Sequence, residues 1–300
     1  MRRCVLVLAF GAALGAGAIQ AQESTQTRPQ QRPPPPAAAP AAGAELAQVI
    51  LPRLGRVAQL YRDTALKFTC KEEITDTGLG GHKFEFEYIY VYDKSAGFQD
   101  HRTHLVGGQL DRIDPEKAGA RHFLQRAYSW AFVFSEAEQK LHRYELAGND
   151  TALDRPAVKV VFTPIPPYRA GINEWFGTAW IDAETYQILR VEAMFEESYK
   201  ANARFQKNLA EAIAKATRLL PEQYLIERVS TDFTEKKNGM RFPGKVVIAR
   251  SVYRIQGGSE ASGSLETPIY RVQQTYGDYH FFEVRMEQDI LNFVLGEKRP

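Results

Sequence analysis

Histidines and carboxylates are the first residues to test for chemistry. His101 and His104 stand three apart, Asp111 and Asp114 follow, and His82 and His122 lie to either side. Imidazole nitrogens and carboxylate oxygens are the donors of a metal-dependent enzyme. Residues 98–105 read as a strand, where side chains three apart face opposite sides and ligands share a face only at i and i+2. Scattered surface histidines are the plainer reading, and no metal ligand is assigned. The adjacent acids Glu72-Glu73 and Glu196-Glu197 point apart on strands, so neither makes a pair across a substrate. Cys70 is the only cysteine after the N-terminal leader, with no base identifiable beside it, and it falls on the apolar side of its strand. It reads as a buried structural thiol.

Nucleophile elbow, paired zinc histidines, P-loop and dinucleotide-binding glycines are all absent from the sequence. No catalytic residue and no cofactor are therefore expected. With 38 Lys+Arg against 36 Asp+Glu, the chain lacks the basic excess of a dedicated nucleic-acid binder. Asn149-Asp150-Thr151 matches a glycosylation sequon and is read as chance.

The most informative segment is residues 83–93. Its even positions are Phe84, Phe86, Tyr88, Tyr90 and Tyr92, and its odd positions are mostly charged. On a strand all five rings face one way. Together they carry roughly 750–1250 Å² of mainly apolar surface, more than a monomer leaves bare in one patch. Something must cover that face: an ordinary core sealed by helices, or a ligand.

Other elements frame this strand. Leu46–Tyr61 repeats apolar residues at helical spacing, with Pro52 as a kink or a second start. Leu66–Thr75 alternates, with Phe68, Cys70, Glu72 and Ile74 on one face. Ser129–Ser135 places Trp130, Phe132 and Phe134 at period two and predicts a strand. Leu141–Leu146 and Ala157–Thr163 predict a strand pair turning at Gly148-Asn149-Asp150. Trp175–Ile181 and Gln187–Phe195 flank a short polar connection. Tyr199–Leu220 is the clearest helix, stopped by Pro221. Strands follow over 224–234, 244–255, 269–276 and 279–286, the last two parted by a turn at Gly277-Asp278, and a short helix is predicted near Glu287–Leu295. About ten strands without β-α-β alternation imply an α+β fold. Its sheet is mostly antiparallel, curved and unclosed, with helices on the concave face.

The N-terminus reads differently. Met1-Arg2-Arg3, an apolar run from Val5 to Ala18 and small residues up to Ala21 form the three-part pattern of a cleavable secretory signal peptide over 1–21. The run is short for a membrane span, and no second one follows. Cys4 precedes it, too early for a lipid-modified cysteine. Residues 22–43 are rich in Pro, Ala and Gln and read as a disordered linker. The folded domain is expected over 44–300, close to neutral, because Arg2, Arg3, Arg28 and Arg32 all precede it.

One passage carries a resemblance. Residues 176–193 run FGTAWIDAETYQILRVEA, in which Trp180-Ile181-Asp182 ends a strand and Leu189-Arg190-Val191-Glu192 begins the next. This resembles the strand–turn–strand segment of outer-membrane lipoprotein-sorting proteins. That group comprises the LolA/LolB-like carriers and relatives that include periplasmic regulators of the MucB type. The resemblance implies an unclosed half-barrel whose aromatic concave face is lidded by helices and, in carriers, holds acyl chains.

Together these features suggest an exported, periplasmic or secreted, non-catalytic protein that binds a lipid or lipoprotein acyl chain. Phe84, Phe86, Tyr88, Tyr90, Tyr92, Trp130, Phe132 and Trp180 would line its cavity. A fully packed half-barrel serving as a sensor or interaction module for an envelope protein is the alternative. A metal-dependent enzyme using His101, His104 or Asp111 is the second. Neither nucleic acid nor a membrane span in the mature chain is expected.

Overall fold

A computed structural model describes residues 42–64, 67–77, 81–93, 97–106, 109–117, 119–120, 122–168, 174–215, 222–256 and 263–281. The expected signal peptide, nearly all of the linker and the helix near Glu287–Leu295 lie outside these residues.

Strand β1 (Lys67–Asp76) pairs antiparallel with β2 (His82–Asp93), setting Phe68 opposite Tyr90, Cys70 opposite Tyr88 and Ile74 opposite Phe84. The alternation expected from the sequence thus becomes a shared inner face: Phe68, Cys70, Glu72, Ile74, Phe86, Tyr88 and Tyr90 are all buried. On one side β3 (Gly97–Val106) and β4 (Gln109–Ile113) continue the sheet. On the other, β13 (Gly263–Phe281) is followed in space by β12 (Lys245–Gln256), β9 (Gln223–Asp232), β8 (Ile188–Phe195), β7 (Trp175–Asp182), β6 (Arg155–Pro164) and β5 (His142–Ala152). Every step is antiparallel. The eleven strands end at β4 and β5, which do not pair, so the sheet stays open. A separate small hairpin joins β10 (Glu235–Lys237) to β11 (Met240–Phe242) through Asn238-Gly239, both at positive φ.

Helical cover comes from α1 (Ala42–Glu45), a π-helical turn over Leu46–Ile50, and α2 (Leu51–Thr64). The wide turn falls just before Pro52, which has no N–H for a regular helical bond; Leu51 N–H reaches back to the Leu46 carbonyl instead. Leu54, Val57, Ala58 and Tyr61 of α2 share one core with inner-face residues of strands as far apart as β2 and β6, which requires the sheet to curve around the helix. Among the described residues no helix is long and apolar enough to cross a membrane.

Several expectations change in detail. Ser129–Ser135 is not a strand: residues Ala127–Phe132 form a 3-10 helix. Tyr128, Trp130, Ala131, Phe132, Val133 and Phe134 are all buried, so this stretch is surrounded by core and its apparent period of two is incidental. The β5–β6 turn lies at Leu153-Asp154, both at positive φ. Gly148, at φ +91°, marks a bulge inside β5. Gly277-Asp278 is likewise a bulge within the continuous β13, where the register to β1 shifts between Thr69 and Lys71. Asp111 belongs to β4.

The long helix α3 (Glu196–Lys215) lies on the opposite face from α2. Its Ala201, Phe205 and Ala212 pack with Tyr224 and Ile226 of β9 and Ile255 of β12. Val229 of β9, and Val246 and Ile248 of β12, have the other parity and face the main core. Among the described residues the concave face is therefore covered by α2, the π-helical turn before it, the 3-10 segments and the β10–β11 hairpin, while α3 lies on the outer side.

Candidate functional site

The inner face divides into a filled part and an open one. Over β1, β2 and β13 it is filled. Tyr128 of the 3-10 helix sits 3.8 Å from Tyr90, ring centre to ring centre, and edge-on to Phe68 at 5.6 Å. Phe68 in turn meets Tyr88, Phe242, Tyr279 and Phe281. Burial pushes the Tyr88 and Tyr279 hydroxyls well above the ordinary tyrosine range, so both stay protonated.

Within this packing sits a buried ion pair. Arg102 of β3 forks onto Glu72 of β1, with Nη2 at 2.9 Å from Oε1 and Nε bonded to Oε2. Gln274 of β13 donates to Glu72 Oε1 at 3.0 Å. The Gln274 amide also accepts the Leu124 N–H at 2.7 Å and donates to the Leu124 carbonyl at 3.1 Å. Arg102 adds a bond of 3.4 Å to the Gln125 carbonyl. A short strap, residues 122–126, is thereby fastened across the inner face.

Beyond the strap lies the open part, a pocket of about 590 Å³. Trp130, Trp175, Phe195, Val229 and Ile248 form its apolar walls, and Glu174, Glu227 and the strap form its rim. Trp175 and Phe195 are cross-strand partners at the open end of the β7–β8 hairpin, with ring centres 3.7 Å apart. Trp130 meets Trp175 edge-on at 5.4 Å, and its indole N–H donates to Thr231 Oγ1 at 3.0 Å. On the strap His122, at φ +55°, stacks on Tyr270 at 4.0 Å. Backbone of that kind is costly for a side-chain-bearing residue and is often found at functional sites. The Tyr270 hydroxyl donates to Glu227, and burial together with that carboxylate pushes its pKa up.

A larger groove of about 790 Å³ lies elsewhere, along Thr69, Lys71, Glu73, Glu85, Glu87 and Ile89. These odd positions form the outer face of β1 and β2, where Lys83 bridges Glu73 and Glu85 at 2.8 Å each. Charged side chains rim it, while Ile89, Phe86 and Tyr276 also line it.

The expected lining residues separate accordingly. Phe86, Tyr88, Tyr90 and Phe132 are core residues, and Phe84 is half-buried against that core. Of the seven whose side chains are described, Trp130 alone lines the pocket. Tyr92 ends β2, but its side chain is outside those described. Trp180 lies on the outer face, where its indole N–H donates to Asp150 at 2.9 Å and Lys159 sits over the ring. Trp175, Phe195, Val229, Ile248, Glu227 and the strap were not singled out from sequence. Only the facing Trp175 and Phe195, equally placed about the hairpin, were there to be found.

The metal expectation gains no geometry. Among the described residues no group of three or more His, Cys, Asp or Glu could hold a metal ion. The side chains of His104 and Asp111 lie outside those described, and Asp114 accepts the Glu116 N–H at 3.0 Å. Cys70 is buried, and burial raises its thiol pKa far above the usual range.

No family model and no curated protein matches the chain. Solved structures do show similarity. One is a putative outer membrane lipoprotein-sorting protein domain from Vibrio parahaemolyticus, at 9% identity over 80% of this chain and 97% of that one, with a TM-score of 0.38. Another is the LolA superfamily protein NE2245 from Nitrosomonas europaea, at 9% identity over 81% and 96%, TM-score 0.36. A third is the MucA/MucB complex of Pseudomonas aeruginosa, at 14% identity over 77% and 94%, TM-score 0.24. The first two are what this chain is similar to among LolA-like structures.

Proposed function

We propose that this chain is an exported, periplasmic, non-catalytic protein whose inner-face pocket holds the apolar part of a lipid-like ligand such as an acyl chain. The observation that carries the reading is the open pocket walled by Trp130, Trp175, Phe195, Val229 and Ile248. Its volume of about 590 Å³ lies within the usual range for small-molecule sites, and its composition, apolar walls with a few polar groups at one side, is that of such sites. Phe195 remains 39% exposed, a large apolar ring left uncovered beside the opening. Support for export is the signal-peptide pattern of residues 1–21.

The chain has three tryptophans, and their placement supplies the test. Trp130 and Trp175 line the pocket, whereas Trp180 is on the other face. A brominated fatty acid should quench the fluorescence of the first two and spare the third. Trp180→Phe should therefore quench more completely than the parent, and Trp175→Phe less. Lack of quenching, together with no lipid in native mass spectra of detergent-free protein, would sink the reading.

The filled region around Tyr88 and Tyr90 favours a second reading, in which the half-barrel is a scaffold for an envelope protein partner. A pull-down from envelope extract that yields no stable partner counts against it.

A further inference from the structure

The pocket has fixed walls and therefore a capacity. Its sheet side is made by Val229 of β9 and Ile248 of β12, both buried. Trp130 closes another side, with its indole N–H bonded to the buried Thr231 and its ring backed by Phe162 at 6.4 Å. The strap closes a third. The buried Gln274 amide holds Leu124 through both its N–H and its carbonyl. Moving either Trp130 or the strap leaves buried polar groups unpaired, so neither wall yields readily to a larger guest. Phe195 stands half-uncovered beside the opening, and Glu174, Arg126 and Glu227 share the rim.

We infer that the pocket takes one acyl chain at a time and discriminates against ligands that bring two or three. The ligand class is a single-chain amphiphile, of which a free fatty acid and a lysophospholipid are two sources. The inference rests on the reading of this pocket as a ligand site and goes further by setting how many chains it holds. A methylene group needs roughly the room of a water molecule in the liquid, about 30 Å³. The pocket volume of about 590 Å³ then corresponds to about 20 carbons. One chain of about 16 to 18 carbons nearly fills it, whereas two such chains need about 1000 Å³ and three about 1500 Å³. Chains left over lie across the charged rim or in water, where their apolar surface gains little burial.

The test is displacement of the brominated fatty acid reporter, in detergent-free solution, by saturated fatty acids of increasing length. Each added methylene should tighten binding about fourfold until the chain reaches about 18 to 20 carbons, and the gain should then stop. Ile248→Ala takes three carbons from the wall and should move that break outward by about three carbons. Palmitate and 1-palmitoyl-lysophosphatidylcholine are compared in the same way, and the tighter of the two identifies the source. A peptide carrying three palmitoyl groups should displace the reporter at least about tenfold less well than the same peptide carrying one. Should Ile248→Ala fail to fold, the length series and the peptide pair on the parent protein decide the question. Affinity that keeps rising to about 22 carbons, or a triacylated peptide as tight as its single-chain counterpart, overturns the inference while the apolar-pocket reading stands. Failure of every chain and of the reporter itself removes both.

Discussion

Arg102→Leu offers the sharpest test of what fastens the strap. The side chains of Arg102 and Glu72 are 5% and 0% exposed, so neither ion has water to fall back on. Removing the guanidinium leaves the Glu72 carboxylate with neutral donors, the Gln274 amide at 3.0 Å and the Tyr276 hydroxyl. Breaking one side of such a pair costs about 3–5 kcal/mol. The guanidinium also lies 4.8 Å and 5.0 Å from the Tyr88 and Phe123 ring centres, which adds about 1 kcal/mol. A loss near 5 kcal/mol would consume much of the stability of an ordinary domain. The companion Glu72→Leu/Arg102→Leu removes both charges, so it should cost about 2 kcal/mol, far less than the single change. Urea unfolding followed by tryptophan fluorescence and far-UV circular dichroism measures both, provided the slopes agree. A single variant costing under about 1 kcal/mol, or a double variant as damaged as the single one, would refute the reasoning.

Four further outcomes are expected. Gly177→Ala should destabilise by about 1–3 kcal/mol, because its methyl would fall 2.5 Å from both the Glu192 carbonyl oxygen and the Phe162 ring; an unchanged urea midpoint would contradict this. Asp154→Gly should raise stability by up to about 1 kcal/mol, since φ of +59° suits glycine, and a lower midpoint would argue against the turn as described. Burial alone would raise the Asp182 pKa, but Arg155 and the Thr185 and Glu184 N–H groups outweigh it and hold the carboxyl below its usual range. Its stabilisation is therefore present above the unfolded pKa and lost as pH falls through the folded one, so Asp182→Asn should flatten the acid limb of a midpoint-versus-pH curve. Cys70 should react with a thiol reagent at pH 8 only as fast as the protein opens; rapid stoichiometric labelling in native buffer would show that its burial is misassigned.

The parts legible from sequence are those where burial imposes a local period. Phe68 to Ile74 and Phe84 to Tyr90 alternate because one side of each strand is core. Where nearly every neighbour is buried, as from Ala127 to Phe134 with Ser129 excepted, no period survives and a 3-10 helix can pass for a strand. Glycine and aspartate serve bulges as readily as turns, so Gly148 and Gly277-Asp278 misdirected the hairpins, while Leu153-Asp154 turns without a turn-like sequence. Periodicity marks the buried side of α3 but not which face of a sheet it will meet. The pocket was least legible. Its walls come from the 3-10 segment and four strands, and its strap is held by Gln274, 150 residues from Leu124.

The order of the strands has a bearing on how the chain acquires this shape. Among the described residues the β4-β3-β2-β1 meander joins the rest of the sheet through β13, and Glu72 meets Gln274 at a sequence separation of 202. Closing so long a loop is slow, because its entropy is lost before any contact repays it. Until residues 263–281 emerge, the rings of β1 and β2 have no β13 beside them and Phe68 lacks Tyr279 and Phe281. A nascent chain therefore carries a sticky aromatic ribbon through most of its synthesis.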